Sequence, residues 1–225
     1  MTHRLFSILS LLCIIGATAA GQGVFVRVAP QLDLLQEEYD SPWMEYITFD
    51  KRSSYGIGGD VGLIIQPRRL AMNIRVSVGL QYQSVKLNAV ISDKGMIDEG
   101  YVVNSAFEES YEFLTIPVRV ELLYASKYAR VAPGAFLALN NTFVKRSAGV
   151  SRLIDGGSES YDIPVQDYIP SIAAGAFMDI VFSKTVSLEI EGGYTFMLRN
   201  VLKDTEADLR FHAINLKAGL IVRLR

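Results

Sequence analysis

The fold this sequence predicts is all-β: an eight-stranded, antiparallel, up-and-down barrel that crosses a membrane with its strands, preceded by a cleavable signal peptide. Three features predict it. In segment after segment aliphatic residues alternate with polar or small ones, the period of a strand whose two faces meet different surroundings. The connections between these segments are alternately long and short, as in barrels with large loops on one side of a membrane and tight turns on the other. Beyond residue 21 no apolar run reaches the length of about 18 residues that a spanning helix needs, so any crossing is by strands.

The first residues, MTHRLFSILSLLCIIGATAAGQG, combine a basic start ending at Arg4, an apolar run from Leu5 to Ile15 and a small-residue end, the pattern of a secretory signal. Cleavage can follow Ala19, Ala20 or Gly21; with Gln22 preferred as the new N-terminus, residues 1–21 are signal and 22–225 one barrel domain. Cys13, the single cysteine, lies inside the apolar run. A lipoprotein would acylate it, but Ile14 and Ile15 continue the run where a lipoprotein turns polar. Without Cys13 the mature chain has no thiol, which excludes disulfides, zinc–thiolate sites and a cysteine nucleophile. A formal net charge of −2 with both signs interspersed gives no electrostatic case for nucleic acid.

The strands follow in order. Gly23 to Asp33 sets Val24, Val26, Val28 and Leu32 against Phe25, Arg27, Ala29 and Gln31. A polar stretch, 34–54, reads as a long loop. Tyr55 to Gln66 sets Tyr55, Ile57, Val61, Leu63 and Ile65 against Gly56, Gly58, Asp60 and Gly62, and ends at the turn Pro67-Arg68-Arg69. Leu70 to Leu87 is the longest alternation, with Met72, Ile74, Val76, Val78, Leu80 and Tyr82 opposite Asn73, Arg75, Ser77, Gly79, Gln81 and Gln83. After a second long loop, 88–109, Tyr111 to Tyr124 carries Leu114, Ile116, Val118, Val120 and Leu122 on one face and Phe113, Thr115, Pro117, Arg119 and Glu121 on the other. Proline has no N–H for a ladder, so a bulge or local irregularity is expected at Pro117.

A short turn at Ser126-Lys127 leads to a fifth strand, Tyr128 to Asn140, and a third long loop spans 141–167. The sixth strand, Tyr168 to Phe182, turns at Ser183-Lys184-Thr185 into the seventh, Val186 to Phe196. A fourth loop, 197–210, precedes the last strand, Phe211 to Arg225, with Ile214, Leu216, Ala218, Leu220, Val222 and Leu224 on its aliphatic face. An even strand count lets first and last strands pair, and lipid does not tolerate an open edge, so the sheet is expected to close.

With the aliphatic rows toward lipid, the inner faces hold Arg27, Asp60, Arg75, Arg119, Glu121, Asp179, Glu189, Glu191, Lys217 and Arg223, five basic and five acidic residues. Charges shut away from water need partners, and an eight-stranded barrel has room for side chains but no wide pore, so these ten are expected to form an interior charge network. Glycines 62, 79, 134, 175, 193 and 219 fall on the same faces and read as space for long side chains.

These residues also carry a resemblance. Phe113 to Leu123 (FLTIPVRVELL) resembles the L-x-I-P-hydrophobic strand of the outer-membrane β-barrel proteins of Bacteroidota, a group with PorT-like members. Val76 to Lys86, Val131 to Leu139 and Ile172 to Leu198, with its Gly-Gly-Tyr-x-Phe run at Gly192 to Phe196, are similar to other strands of the group, so the likeness covers most of the mature chain. It implies an outer-membrane location, no cofactor and, for PorT-like members, a part in type IX secretion or its assembly. Arg225 departs from the pattern, since many barrels end in an aromatic residue.

Candidate chemistry is sparse. His212 is the one histidine left after signal removal, so a serine–histidine hydrolase or a histidine metal site would centre on it. Outer-membrane lipid A deacylases place a serine two residues on; position 214 is Ile, and His212 reads as an interfacial residue at a strand end. Glu189 and Glu191 could serve as paired carboxylates, but read as partners for Arg75, Arg119 and Lys217. Asp155-Gly156-Gly157 lacks the alternating oxygen ligands of a calcium loop. Tyr55, Tyr82, Tyr111, Tyr124, Tyr168, Tyr194 and Phe196 suggest interfacial girdles. Tyr39, Trp43, Tyr46 and Phe49, in the first long loop, form the candidate partner-contact surface.

The expectation is a non-enzymatic integral outer-membrane barrel with no catalytic, cofactor or metal residues. Its partners are the outer-membrane bilayer and other envelope or secretion proteins, not nucleic acid; its role is that of a PorT-like accessory or a scaffold presenting loops. Two alternatives remain open. A soluble exported barrel carrying a small apolar ligand would turn its aliphatic rows inward, and an outer-membrane lipid-modifying enzyme would rest on His212.

Overall fold

The computed structural model describes residues 24–40, 47–65, 74–93, 105–124, 130–153, 157–203 and 208–224. The signal segment, Trp43, Tyr46, Asp155-Gly156 and the turns at 67–69 and 126–127 lie outside them. Nine strands appear among the described residues: β1 (Val24–Asp40), β2 (Ile47–Ile65), β3 (Ile74–Asp93), β4 (Ser105–Leu123), β5 (Val131–Leu153), β6 (Ser158–Tyr161), β7 (Tyr168–Val181), β8 (Val186–Met197) and β9 (Asp208–Leu224).

Eight of them close a ring. Around the ring β1 to β5 pair antiparallel in chain order, β5 pairs with β7 along its lower part, β7, β8 and β9 continue, and β9 returns to β1 from Val24↔Leu224 to Asp40↔Asp208, with the short β6 outside the ring. Closure leaves no edge inside the ring, which is what lipid requires of a sheet.

The alternation decides the faces. Ile57, Leu122, Leu137 and Ile214 point outward with 51–60% of their surface exposed, while Asp60, Arg75, Arg119 and Glu121 between such residues are buried at 4% or less. Apolar rows facing out and charges facing in overturn the soluble-carrier alternative, because water on the outer face would wet the whole aliphatic belt. A closed eight-stranded ring with such a belt is an outer-membrane-type barrel. Tyr82, Tyr194 and Phe196 stand exposed at one end of the belt, and Tyr124 and Phe182 at the other. Tyr111 is not in a girdle: it faces inward and is fully buried.

The strands are longer on the loop side than the sequence suggests. β2 to β5 have 19, 20, 19 and 23 residues, against about 9–11 for a crossing. Much of the predicted loops 34–54, 88–109 and 141–167 is therefore strand, and Tyr39 and Phe49 belong to β1 and β2. The β1–β2 ladder runs only from Val24↔Ile65 to Leu34↔Tyr55. Above it the ring opens into a β1–β9 ribbon and a five-stranded wall, β2 to β6, in which β6 pairs with the far end of β5 from Gly149↔Tyr161 to Arg152↔Ser158. The predicted loop 197–210 likewise ends early, at Asp208.

Proline leaves its mark on one side only. Pro117 is paired with Asn140 of β5 in unbroken register, so no bulge forms there. Toward β3 the ladder steps from Val78↔Val118 to Gln81↔Thr115, skipping Gly79 and Leu80. Pro30 does the same toward β9, where pairing jumps from Val28↔Leu220 to Gln31↔Lys217. In both cases the missing N–H coincides with the skipped rungs. The β4–β5 register shift comes higher up, between Glu112 and Phe113, opposite Arg146 and Val144.

Candidate functional site

The barrel interior is built in three layers. Nearest the short turns is the charge layer. Arg75 donates from Nε to Glu121 Oε2 at 2.6 Å and from Nη2 to Glu189 Oε2 at 2.9 Å, and also bonds Asp179. Arg119 sits 2.8 Å from Glu121 and 3.9 Å from Glu189, and donates to Glu191. Lys217 reaches Asp60 at 3.4 Å and Glu191 at 4.0 Å, and Ser77 Oγ donates to Glu121 Oε1 at 3.1 Å. Eight of the ten predicted charges thus meet in one network, with each arginine bridging three carboxylates on at least two strands. The side chains of Arg27 and Arg223 lie outside the described residues; the eight that are described comprise three cations and five carboxylates.

Two phenylalanines frame the arginines. Arg119 lies over the Phe136 ring at 3.9 Å and Arg75 over Phe177 at 4.9 Å, cation–π contacts that gain strength away from water. The rings fit because their cross-strand partners are glycine: Gly134↔Phe177 and Phe136↔Gly175 are reciprocal pairs between β5 and β7. A Cβ on Gly134 would lie within 2.7 Å of the Phe177 ring, and one on Gly193 2.8 Å from the Phe136 ring. The inner-face glycines 134, 175 and 193 therefore make room for aromatic rings that carry the arginines, a refinement of the direct space-for-charge reading.

The middle layer is polar. Gln81, Gln83, Thr115, Asn140, Thr142, Ser171, Thr195 and Asn215 line a cavity of about 50 Å³, room for a very few water molecules. Thr115 and Thr142 share a hydrogen bond of 2.9 Å, and Thr195 donates to Asn215 at 2.6 Å.

The layer nearest the loops is apolar. Val85, Leu87, Tyr111, Phe113, Met197, Leu209 and Phe211 pack together beneath Ile163 and Val201, with Phe211 edge-on to Tyr111 and Phe113 at 5.4 and 6.2 Å. Ile163 and Val201 come from two irregular segments that cross the mouth side by side: Gln166 N donates to Val201 O at 2.8 Å, Lys203 N to Pro164 O at 2.9 Å, and Ser147 Oγ to Ile163 O at 2.8 Å. Glu109 accepts from the hydroxyls of Tyr111 at 2.7 Å and Tyr161 at 3.1 Å, fastening the end of β6 to the wall. Strand alternation does not reveal this plug, because Ile163 and Val201 sit in stretches that lack it.

His212 is not at a strand end. It is the fifth residue of β9, faces outward, is 6% exposed and stacks on its cross-strand partner Phe196 at 4.5 Å. Glu189 and Glu191 both point into the charge layer. Among the described residues no group of three or more His, Cys, Asp or Glu is arranged to hold a metal ion.

No protein-family model and no curated protein matches the sequence. Solved structures do. The chain is similar to Neisserial surface protein A (NspA) at 11% identity and a TM-score of 0.49, with 89% of this chain and 97% of that one covered. It is similar to a major outer membrane protein from Thermus thermophilus at 10% identity and a TM-score of 0.49, covering 88% and 99%. The outer membrane protease OmpT from Escherichia coli matches at 9% identity and a TM-score of 0.49, covering 90% and 97%. The fold itself rests on the pairing and the outward belt described above.

Proposed function

We propose that this barrel is a non-enzymatic outer-membrane scaffold that presents its loop-side sheet to other envelope proteins, as a PorT-like accessory of secretion or envelope assembly. The observation that carries the reading is the contrast between a filled lumen and an overbuilt exterior. Three layers occupy the barrel from the turns to the mouth, whereas β2 to β5 run about twice the length a crossing needs and add β6 at their far edge. Surface of that extent, raised above a bilayer, offers main-chain and side-chain contact to a partner. A lipid-modifying role for His212 has less support, since its ring is covered by Phe196 and the residue two positions on is Ile214.

Photo-crosslinkers placed singly at Ser158, Glu159 and Ser160 in the native outer membrane test the scaffold. They are expected to capture a secretion or envelope component. Capture of none from any position, with the barrel correctly inserted, would remove the proposal.

A further inference from the structure

We infer that the outer face of β5, just above the apolar belt, is a binding site for the phosphate of a lipid headgroup, made by Lys145 and Arg146. The register shift between β4 and β5 carries it. Phe113 pairs with Val144 and Glu112 with Arg146, so Lys145 is the extra residue of a bulge. In a regular strand neighbouring side chains take opposite faces; the bulge relaxes that rule, and Lys145 and Arg146 are both exposed. Val144, by contrast, still packs inward against the apolar plug.

Their height is set by the same register. The outward pair below the bulge is Leu114, at the top of the aliphatic row of β4, and Phe143, whose ring lies 5.5 Å from that of Tyr168. Aromatic pairs of this kind mark the membrane interface, so the two cations stand where headgroup phosphates lie. Their charge is also uncommitted. Lys86 and Arg152, on the same face, stand 3.9 and 3.7 Å from Glu108, but Lys145 and Arg146 form no ion pair among the described residues. Among the described residues the nearby carboxylates are Glu112, across the ladder from Arg146, and the exposed Asp167, whose backbone carbonyl accepts from Val144 N. Neither is within ion-pair distance. An adjacent ammonium and guanidinium suit a phosphate oxygen cluster, the guanidinium through paired donors. The position at the belt edge selects a lipid as its bearer over a soluble anion.

The test is native mass spectrometry of the detergent-solubilised barrel with bisphosphorylated lipid A, its dephosphorylated form, and inorganic phosphate. The wild-type chain is expected to retain the phosphorylated lipid at least tenfold better than the dephosphorylated one. Lys145→Ala/Arg146→Ala is expected to lower that affinity roughly thirtyfold, and Lys86→Ala/Arg152→Ala to lower it less. Deleting Lys145 restores regular alternation and tests the bulge itself; retention is expected to fall while the heat-modifiable gel shift of the folded barrel persists. Equal retention by the wild type and the double variant would overturn the inference. Inorganic phosphate displacing the lipid at equal concentration would also overturn it, by showing a site for free anions.

Discussion

Arg119 shows how much one side chain holds together. Its guanidinium contacts Glu121, Glu189 and Glu191 and lies over Phe136 and Phe177, so removing it leaves Glu121 and Glu189 to share Arg75, and Glu191 with Lys217 at 4.0 Å, all buried with one cation fewer. Breaking a buried ion pair from one side costs about 3–5 kcal/mol, because an uncompensated charge remains. Arg119→Met is therefore expected to destabilise the barrel by about that much in urea unfolding from lipid vesicles, and a loss under about 1 kcal/mol would show the network to be dispensable. Phe136→Ala is expected to cost a similar ~3–5 kcal/mol, since it uncovers the backbone of Gly175 and Gly193 and the face of Arg119 together. These contacts were half legible. Alternation put Arg75, Arg119, Glu121, Asp179, Glu189 and Glu191 on inner faces, but which cation meets which carboxylate depends on cross-strand register, and the phenylalanine supports depend on glycine standing opposite them.

At the scale of the element, β4 and β5 carry the most information. The aliphatic row of β4 was plain in the sequence because lipid accepts only apolar side chains along a whole strand face. A charge there is costly: Leu137→Arg, on the neighbouring strand with the side chain 60% exposed to the belt, is expected to lose about 2–4 kcal/mol if it lies near the bilayer midplane. Measured against the same vesicles, an unchanged midpoint would mean this face does not touch lipid. The upper halves of the strands read as loops in the sequence for the complementary reason. Above the belt neither face meets lipid, polar residues such as Glu108, Glu109 and Ser110 are allowed on both, and the period-two signal disappears although pairing continues. Pro117 is the oddity of β4 in sequence, and its effect is a local irregularity, a gap in one ladder; the β4–β5 bulge forms at Lys145, where nothing in composition announces it.

The whole molecule is a closed ring with two independent seals, the apolar plug at the mouth and the arginine–carboxylate layer toward the turns. Opening one leaves the other. Wild-type protein in planar bilayers is expected to show no steady conductance, and Phe113→Ala/Phe211→Ala is expected to remain silent because Arg75 and Arg119 still fill the lumen below. Discrete current steps from the plug variant would show that the charge layer is permeable.

The sequence by itself determined the class of fold, the direction of the faces of those crossing strands whose side chains are described, and the identity of the eight described interior charges. Each follows from a local rule: lipid imposes an apolar face on every crossing segment, and the alternating side-chain direction then assigns everything else to the inside. Tertiary structure decided what depends on two strands meeting. The pairing of Arg75 and Arg119 with their carboxylates, the glycine–phenylalanine exchange between β5 and β7, the plug made by Ile163 and Val201, and the bulge at Lys145 all arise from register and from chain segments brought across the mouth. Single-strand periodicity carries no record of these.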